Sequence, residues 1–193
     1  MKTLSVIVVA VATVIFSACN GNSNLSKESS SIKDSKVAQS QTVTTKIDNS
    51  NLLKDLTNSY LQIKNGLASD NGNDAATGGN AFVDAIGKIN TSLMKIDQKK
   101  SFDDIADDAK EMAEHIGKNA GKIEHQREHF DMLSKDMYDL IKIFGTGQIL
   151  YQDLCPMYNN NKGATWLSET KEIKNPYMGK KQSTCGSVKE ELK

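Results

Sequence analysis

Apolar residues recur at steps of three and four through the middle of the chain, and this spacing constrains the fold more than any other feature. The longest regular run of this kind comprises Ile123, Phe130, Leu133, Met137 and Phe144. Because an α-helix has 3.6 residues per turn, residues at this spacing lie on one helix face. The pattern predicts a long amphipathic helix that buries this face and ends at the glycines after Phe144.

Three earlier segments repeat the spacing and predict three further helices. The first covers residues 52–67 and is ended by the turn-forming residues 71–74, and the second covers residues 82–96. The third opens at Ser101, a predicted N-cap, and continues to Ile116. Four helices with short connections pack most simply as an up-down-up-down bundle. The sequence therefore predicts an all-α fold built on a four-helix bundle.

The pattern changes after the last predicted helix. Two turn signals lie at residues 159–163 and 175–179, and a brief strand is predicted at residues 164–167. We therefore expect an irregular C-terminal cap that contains one short hairpin. Such a cap would bring Cys155 and Cys185 towards each other.

The chain begins with the features of a cleaved leader, predicted for residues 1–18. A lysine precedes an apolar run at residues 4–16, which is shorter than the roughly 20 residues that span a bilayer. Small residues then precede Cys19, and this junction resembles a bacterial lipobox. Lipidation of Cys19 would hold the protein on a membrane. The alternative is a secreted protein that is cut nearby and keeps Cys19 as a thiol.

Residues 19–46 are predicted to form the lipidated cysteine and a flexible linker. Ser, Asn, Thr and Lys predominate there, and such a composition buries too little apolar surface to fold. The folded domain is therefore expected at residues 47–193, which is long enough for one hydrophobic core. Asn20, rather than Asp, follows the cysteine, which by resemblance to known lipoprotein sorting favours the outer membrane, facing the periplasm.

Charge and motifs exclude several classes of function. Lys and Arg together number 24, as do Asp and Glu, so no basic excess indicates a nucleic-acid partner. The sequence has no glycine-rich phosphate loop, no GxSxG nucleophile motif and no pair of carboxylates placed for acid–base chemistry. We therefore expect a binding protein rather than an enzyme.

The candidate ligands are concentrated in the cap. Cys155 and Met157 flank a proline, and Cys185 follows in the same segment. Thiolate and thioether sulfur favour Cu(I), and thiolate also favours zinc. Two cysteines in an oxidising periplasm are equally well explained by a structural disulfide, so both interpretations stay open. Met157 favours the metal, since a disulfide gives no reason for a neighbouring methionine. Met178 is a weaker candidate.

His129 is a further candidate ligand. It lies beside the apolar stripe of the last predicted helix and is expected to be half-buried, either as a ligand or as a histidine of the core. His125 precedes it by four residues, but the two do not form an HExxH motif. His115 and His125 are expected to be solvated.

Several ordered motifs resemble the DUF3347 domain family. The C-terminal motifs read CPM, NNNKGA and WLS within residues 155–168, then NPY at residues 175–177 and CG at residues 185–186. The segment QREHF at residues 126–130 resembles the helical motif of the same family. The resemblance, which spans roughly residues 52–188, implies an envelope protein related to appendages of heavy-metal efflux adaptors, and hence soft-metal handling. Many relatives have a methionine where this chain has Gln182.

Together these observations predict a lipid-anchored periplasmic protein that binds a soft metal ion. The predicted ligands are Cys155, Met157, Cys185 and His129, and the predicted ion is Cu(I), with zinc as the alternative. The protein would buffer the metal or pass it to a heavy-metal efflux adaptor or another envelope protein. The rival hypothesis is a disulfide-stapled interaction module of the envelope that binds no metal.

Overall fold

The computed structural model describes residues 52–193. The predicted leader, Cys19 and the predicted linker lie outside the described residues. Four long helices come first: α1 Lys54–Ala68, α2 Gly72–Gly87, α3 Ile96–Lys118 and α4 Ile123–Phe144. A single helical turn and three strands follow: β1 Leu150–Cys155, α5 Tyr158–Asn161, β2 Ala164–Ser168 and β3 Ser187–Leu192. Short 3₁₀ turns lie at Thr91–Leu93 and Gly179–Gln182.

The four long helices pack side by side around one hydrophobic core. Each helix contacts the next along the chain, and α1 also contacts α4. The predicted stripe of α4 is buried at Phe130, Leu133, Met137 and Phe144. Tyr60 of α1 stacks on Phe130 with ring centroids 5.1 Å apart. The amphipathic spacing thus correctly predicted both a long final helix and the face that it buries.

Helices α1 and α2 approach each other closely. A Cβ atom at Gly78 would lie 2.8 Å from the backbone nitrogen of Ile63, so only glycine allows this approach. The Asn71 side chain accepts a hydrogen bond from the backbone N–H of Asp74 at 3.1 Å and caps α2. The turn-forming residues 71–74 therefore start the second helix as well as separating it from the first.

The boundary between the second and third helices differs from the prediction. Helix α2 ends at Gly87, and α3 begins at Ile96 after Lys95 rather than at Ser101. The Asn90 side chain accepts a hydrogen bond from the Ser92 N–H and starts a separate turn. Ile96 is 87% exposed. Apolar spacing predicted a second helix that runs through this connection. In the structure the chain leaves the helix at Gly87 and forms a separate turn that Asn90 caps.

A three-stranded antiparallel sheet replaces the predicted irregular cap. Its strand order is β2-β1-β3, with Cys155 paired to Ala164 and Leu154 paired to Ser187. The fold is thus mostly helical with a small sheet, and the all-α prediction is corrected. The β1–β2 hairpin matches the predicted one. Strand β3 was not predicted. It lies at an edge of the sheet and is mostly exposed, so its sequence lacks the alternation of apolar and polar residues that indicates a strand.

Aromatic residues join the sheet to the helices. Trp166 and Tyr177 are buried, and Tyr158 stacks on Tyr177 with centroids 4.4 Å apart. The Tyr177 hydroxyl donates to the carbonyl of Thr165 at 2.6 Å, and the Tyr60 hydroxyl accepts from the Leu167 N–H at 2.9 Å. These bonds fix the sheet against α1 and α4.

Among residues 52–193, every helix is too short or too polar to cross a bilayer.

Candidate functional site

Strand pairing brings the two cysteines of the cap together. Cys155 ends β1, and Cys185 lies two residues before β3, which pairs with β1 next to that end. Their Sγ atoms are 3.6 Å apart, and both residues are free thiols. Cys155 is buried, whereas Cys185 is half-exposed. The structure therefore places two of the predicted ligands side by side, as the sequence analysis expected of the cap.

Met157 completes a group of three sulfur atoms, which we call the sulfur cluster (Cys155, Met157 and Cys185). Its Sδ atom lies 3.6 Å from the Sγ atom of Cys185. Two ligands about 2.3 Å from one tetrahedral ion are about 3.8 Å apart. The observed sulfur separations are close to that value. Met157 is 49% exposed, so the cluster is open to solvent on one side.

Ionisation of the Cys185 thiol is disfavoured at this position. Burial first, and then the hydrogen bond and charge of Cys155, raise the pKa of the Cys185 thiol above its ordinary value. A bound cation favours the thiolate and opposes these effects. In chemical terms the cluster is suited to releasing protons when it takes up a soft cation.

Turns around the cluster need unusual backbone angles, and these explain two of the sequence motifs. Asn159, Asn160 and Asn161 have φ values of 51°, 55° and 64°, in the left-handed region that asparagine tolerates best after glycine. Gly186 has φ of 145°, and a Cβ atom there would lie 3.0 Å from the Leu154 carbonyl oxygen. The NNNKG and CG motifs thus shape the loops that carry the sulfur atoms.

Asn175 holds the loop that leads to Cys185. Its Nδ2 donates to the carbonyl of Cys185 at 2.6 Å, and its Oδ1 accepts from the N–H groups of Tyr177 and Met178. The side chain of Met178 packs against the hydrophobic core. Gln182 contributes its carbonyl oxygen, which accepts from the Cys185 N–H at 3.1 Å. The sulfur contacts of Cys185 are with Cys155 and Met157.

His129 lies in a different place from the other predicted ligands. It faces α3, where its Nδ1 atom is 3.3 Å from the Sδ atom of Met112. Arg127, two residues earlier on α4, instead reaches the cap and donates to the Pro176 carbonyl at 2.8 Å. Two residues correspond to a rotation of about 200° around a helix, so these side chains point to different sides. The predicted four-ligand set is therefore divided between two locations.

His129 belongs to a second group, the histidine cluster, which consists of His115, His125 and His129. One ring nitrogen from each lies within 4.8 Å of the others. The His115 ring stacks on the His129 ring with centroids 4.3 Å apart, and the His125 and His129 Nε2 atoms are 3.1 Å apart. Burial first, and then the nearby His115 and His125, lower the pKa of His129.

The sequence analysis missed this cluster, although a signal was present. The sequence predicts that His115 and His125 are solvated, and both side chains are partly exposed, but their meeting with His129 was not predicted. The two residues lie five positions before and five positions after Ala120, in the connection between α3 and α4. In an antiparallel helix pair with a short connection, such positions face each other. Symmetry about the connection would have paired the two residues.

Comparison with protein families assigns the helical part of the chain. The model of a family described as "Protein of unknown function (DUF3347)" matches residues 56–148. These residues form a domain of the DUF3347 family. The match confirms the resemblance seen in the sequence and covers most of α1 and all of α2 to α4, including the QREHF segment. It ends before β1, so the sulfur cluster lies outside the matched residues.

Searches of curated proteins and of solved structures each find no match to the chain. The DUF3347 assignment therefore rests on the family comparison alone.

Proposed function

We propose that this protein is a lipid-anchored periplasmic protein that binds Cu(I) through Cys155, Met157 and Cys185. It would buffer the ion or hand it to a heavy-metal efflux adaptor. The observation that carries the proposal is the meeting of three sulfur atoms from two segments of the chain, with Cys185 Sγ 3.6 Å from both Cys155 Sγ and Met157 Sδ. The role is one of binding and transfer, without catalysis.

Cu(I) is the ion that suits this ligand set best. Two thiolates and a thioether form a soft site with no oxygen ligand, and thioether sulfur favours Cu(I) over zinc. The exposed Met157 supports exchange, because a partner's sulfur ligand can approach on its side while the buried Cys155 stays bound. Zinc is the alternative ion for the two thiolates.

The membrane anchor in this proposal is a lipid on Cys19, which lies outside the described residues. Its support is the sequence of the leader and the small residues before Cys19. A flexible linker at residues 20–46 would let the folded domain move within the periplasm at the inner face of the outer membrane. We also propose that α1 to α4 form an up-down-up-down bundle, which their sequential packing supports.

The second candidate is a disulfide-stapled interaction module that binds no metal. It is favoured by the same 3.6 Å approach of Cys155 and Cys185. A disulfide would hold the end of β1 to the segment before β3. Replacement of Met157 separates the two candidates: it should weaken a metal site, but it should not affect a disulfide, in which the thioether takes no part.

Competition for Cu(I) separates the candidates. The full chain without a histidine tag is purified anaerobically and titrated with Cu(I) against a chromophoric Cu(I) chelator. We expect one tightly bound ion, loss of tight binding in Cys155→Ser, and binding about tenfold or more weaker in Met157→Leu. Met132→Leu is the matched control, because Met132 is similarly exposed at 42% but lies on α4.

Retention of Cu(I) by Cys155→Ser would exclude the sulfur cluster as the site. Equal Cu(I) affinity in Met157→Leu and Met132→Leu would show that the Met157 thioether is not a ligand. The stapled module would be supported by two results together: a disulfide in the native chain, and no copper binding by the chain either before or after reduction.

A further inference from the structure

All three histidines of the chain meet at one place. His115 comes from the last turns of α3, and His125 and His129 come from the first two turns of α4. The side chains of His115 and His125 are 44% and 38% exposed, so the cluster is reached from solvent. A fold that only needed to pack α3 against α4 would have no requirement for three imidazoles at this point.

The Nε2 atoms of His125 and His129 approach each other, and each Nδ1 atom has a different neighbour. The Nδ1 atom of His129 faces the Sδ atom of Met112 at 3.3 Å, and the Nδ1 atom of His125 faces a carboxylate oxygen of Glu128 at 3.5 Å. A proton on Nδ1 of each ring would suit these neighbours and would leave both Nε2 atoms able to bind a cation. The two Nε2 atoms are 3.1 Å apart.

This arrangement is complete only with a cation or a proton between the two nitrogens. If both Nε2 atoms carry lone pairs, they repel each other at 3.1 Å unless a proton or a cation lies between them. Two nitrogens bound to one tetrahedral zinc ion at about 2.0–2.1 Å are about 3.3–3.4 Å apart. The two Nε2 atoms would therefore have to separate by only about 0.2–0.3 Å to share one ion.

We propose that His115, His125 and His129 form a second metal site, which takes a divalent ion of the borderline class such as Zn²⁺. Imidazole suits zinc, nickel and copper(II) rather than the soft Cu(I) proposed for the sulfur cluster. The proposal goes beyond the proposed function and stands independently of it, because the two sites share no ligand.

His115 is the ligand that has to move. Its ring lies nearly parallel to that of His129, with an interplanar angle of 11°. Ligation occurs in the plane of the ring, so His115 must rotate to direct a nitrogen at the ion. Its partial exposure leaves room for this rotation. The nearby carboxylates of Glu111 and Glu128 favour a bound cation electrostatically.

Zinc competition on a chain without the sulfur cluster tests the proposal. The full chain with Cys155→Ser and Cys185→Ser, and without a histidine tag, is titrated with Zn²⁺ against a chromophoric chelator. We expect one zinc ion to bind, and His125→Gln or His129→Gln in this background to weaken binding about tenfold or more. Because its ring must rotate, His115→Gln is expected to weaken binding less.

Glu114→Gln is the matched control, since Glu114 adjoins His115 on α3 and pairs with Lys118. It removes one nearby negative charge without removing a ligand, and we expect a change of about twofold or less. Circular dichroism of each variant verifies that the helices are intact. A further readout is the ¹⁵N spectrum of the imidazoles, in which zinc should shift Nε2 of His125 and His129 while Nδ1 stays protonated.

Two results would overturn the proposal: equal zinc affinity in the His125→Gln and Glu114→Gln variants, or an unchanged imidazole spectrum at saturating zinc. Failure here would leave the Cu(I) titration of the native chain unaffected. Failure of the Cu(I) titration would likewise leave zinc binding to the Cys155→Ser, Cys185→Ser chain unaffected.

Discussion

Asp153 is an acidic side chain in an apolar place. It is fully buried on β1, and neither of its carboxylate oxygens has a hydrogen-bond partner. Its neighbour across the sheet, Trp166, also has an unpartnered ring nitrogen. Burial raises the pKa of Asp153 from 3.8 to about 7, although the nearby Lys64 acts in the opposite direction. The folded protein therefore favours the neutral carboxyl group.

This raised pKa predicts how stability depends on pH. The unfolded chain releases the Asp153 proton near pH 4 and the folded chain near pH 7, so its contribution to stability is complete below pH 4 and is lost as pH rises through 7. Asp153→Asn keeps the shape without the charge. We expect it to increase the free energy of unfolding at pH 8 by about 1–3 kcal/mol and to change it little at pH 4.

Urea denaturation at both pH values measures this difference. Glu172→Gln is the control, because it alters an exposed carboxylate in the loop after β2. It should not change the pH dependence of the free energy of unfolding. A loss of stability at pH 8 in Asp153→Asn would show that the buried group is ionised and needed as a charge.

Arg127 connects helix α4 to the end of α1 and to the cap. From α4 it donates to the Leu67 carbonyl near the end of α1, to Asp70 after α1, and to the Pro176 carbonyl in the cap. The guanidinium is buried, and its fork geometry serves all of these acceptors at once. The loop that leads to Cys185 is therefore anchored to the helices through this side chain.

Arg127→Lys is expected to break this connection while it keeps the charge. Lysine cannot reach the separate acceptors together, so we expect the free energy of unfolding to fall by about 2–4 kcal/mol. Amide hydrogen exchange should increase first in the segment from Asn175 to Cys185. The control, Lys135→Arg, changes an exposed ion pair of α4 and should leave both measurements unchanged. Equal protection of the segment in both variants would contradict the anchoring role.

Elements with strong periodicity could be predicted from the sequence, and elements held by single contacts could not. The stripe of α4 identified its buried face because burial of one face is what the spacing records. The start of α3 follows a turn that Asn90 caps, and the edge strand β3 depends on pairing to β1; neither contact leaves a periodic signal. In the candidate site, the grouping of Cys155 with Met157 could be predicted because they are two residues apart. The side to which His129 points could not be predicted, because it depends on how α4 packs against α3.

The molecule as a whole contains two groups of potential ligand side chains of different chemistry, one within the part that matches the DUF3347 family and one after it. The sulfur cluster lies in the sheet cap, and the histidine cluster lies between α3 and α4. Soft and borderline ions differ in their preference for these donors, so the two clusters would divide metals by type. We propose that Cu(I) occupies the sulfur cluster.

X-ray absorption spectroscopy of the full chain, loaded anaerobically with one equivalent of Cu(I), reports which atoms bind the ion. The proposed site predicts a first coordination shell made of sulfur alone, which is lost in the Cys155→Ser, Cys185→Ser variant and retained in His125→Gln. A shell that contains imidazole nitrogen and is lost in His125→Gln would place Cu(I) in the histidine cluster and contradict the account.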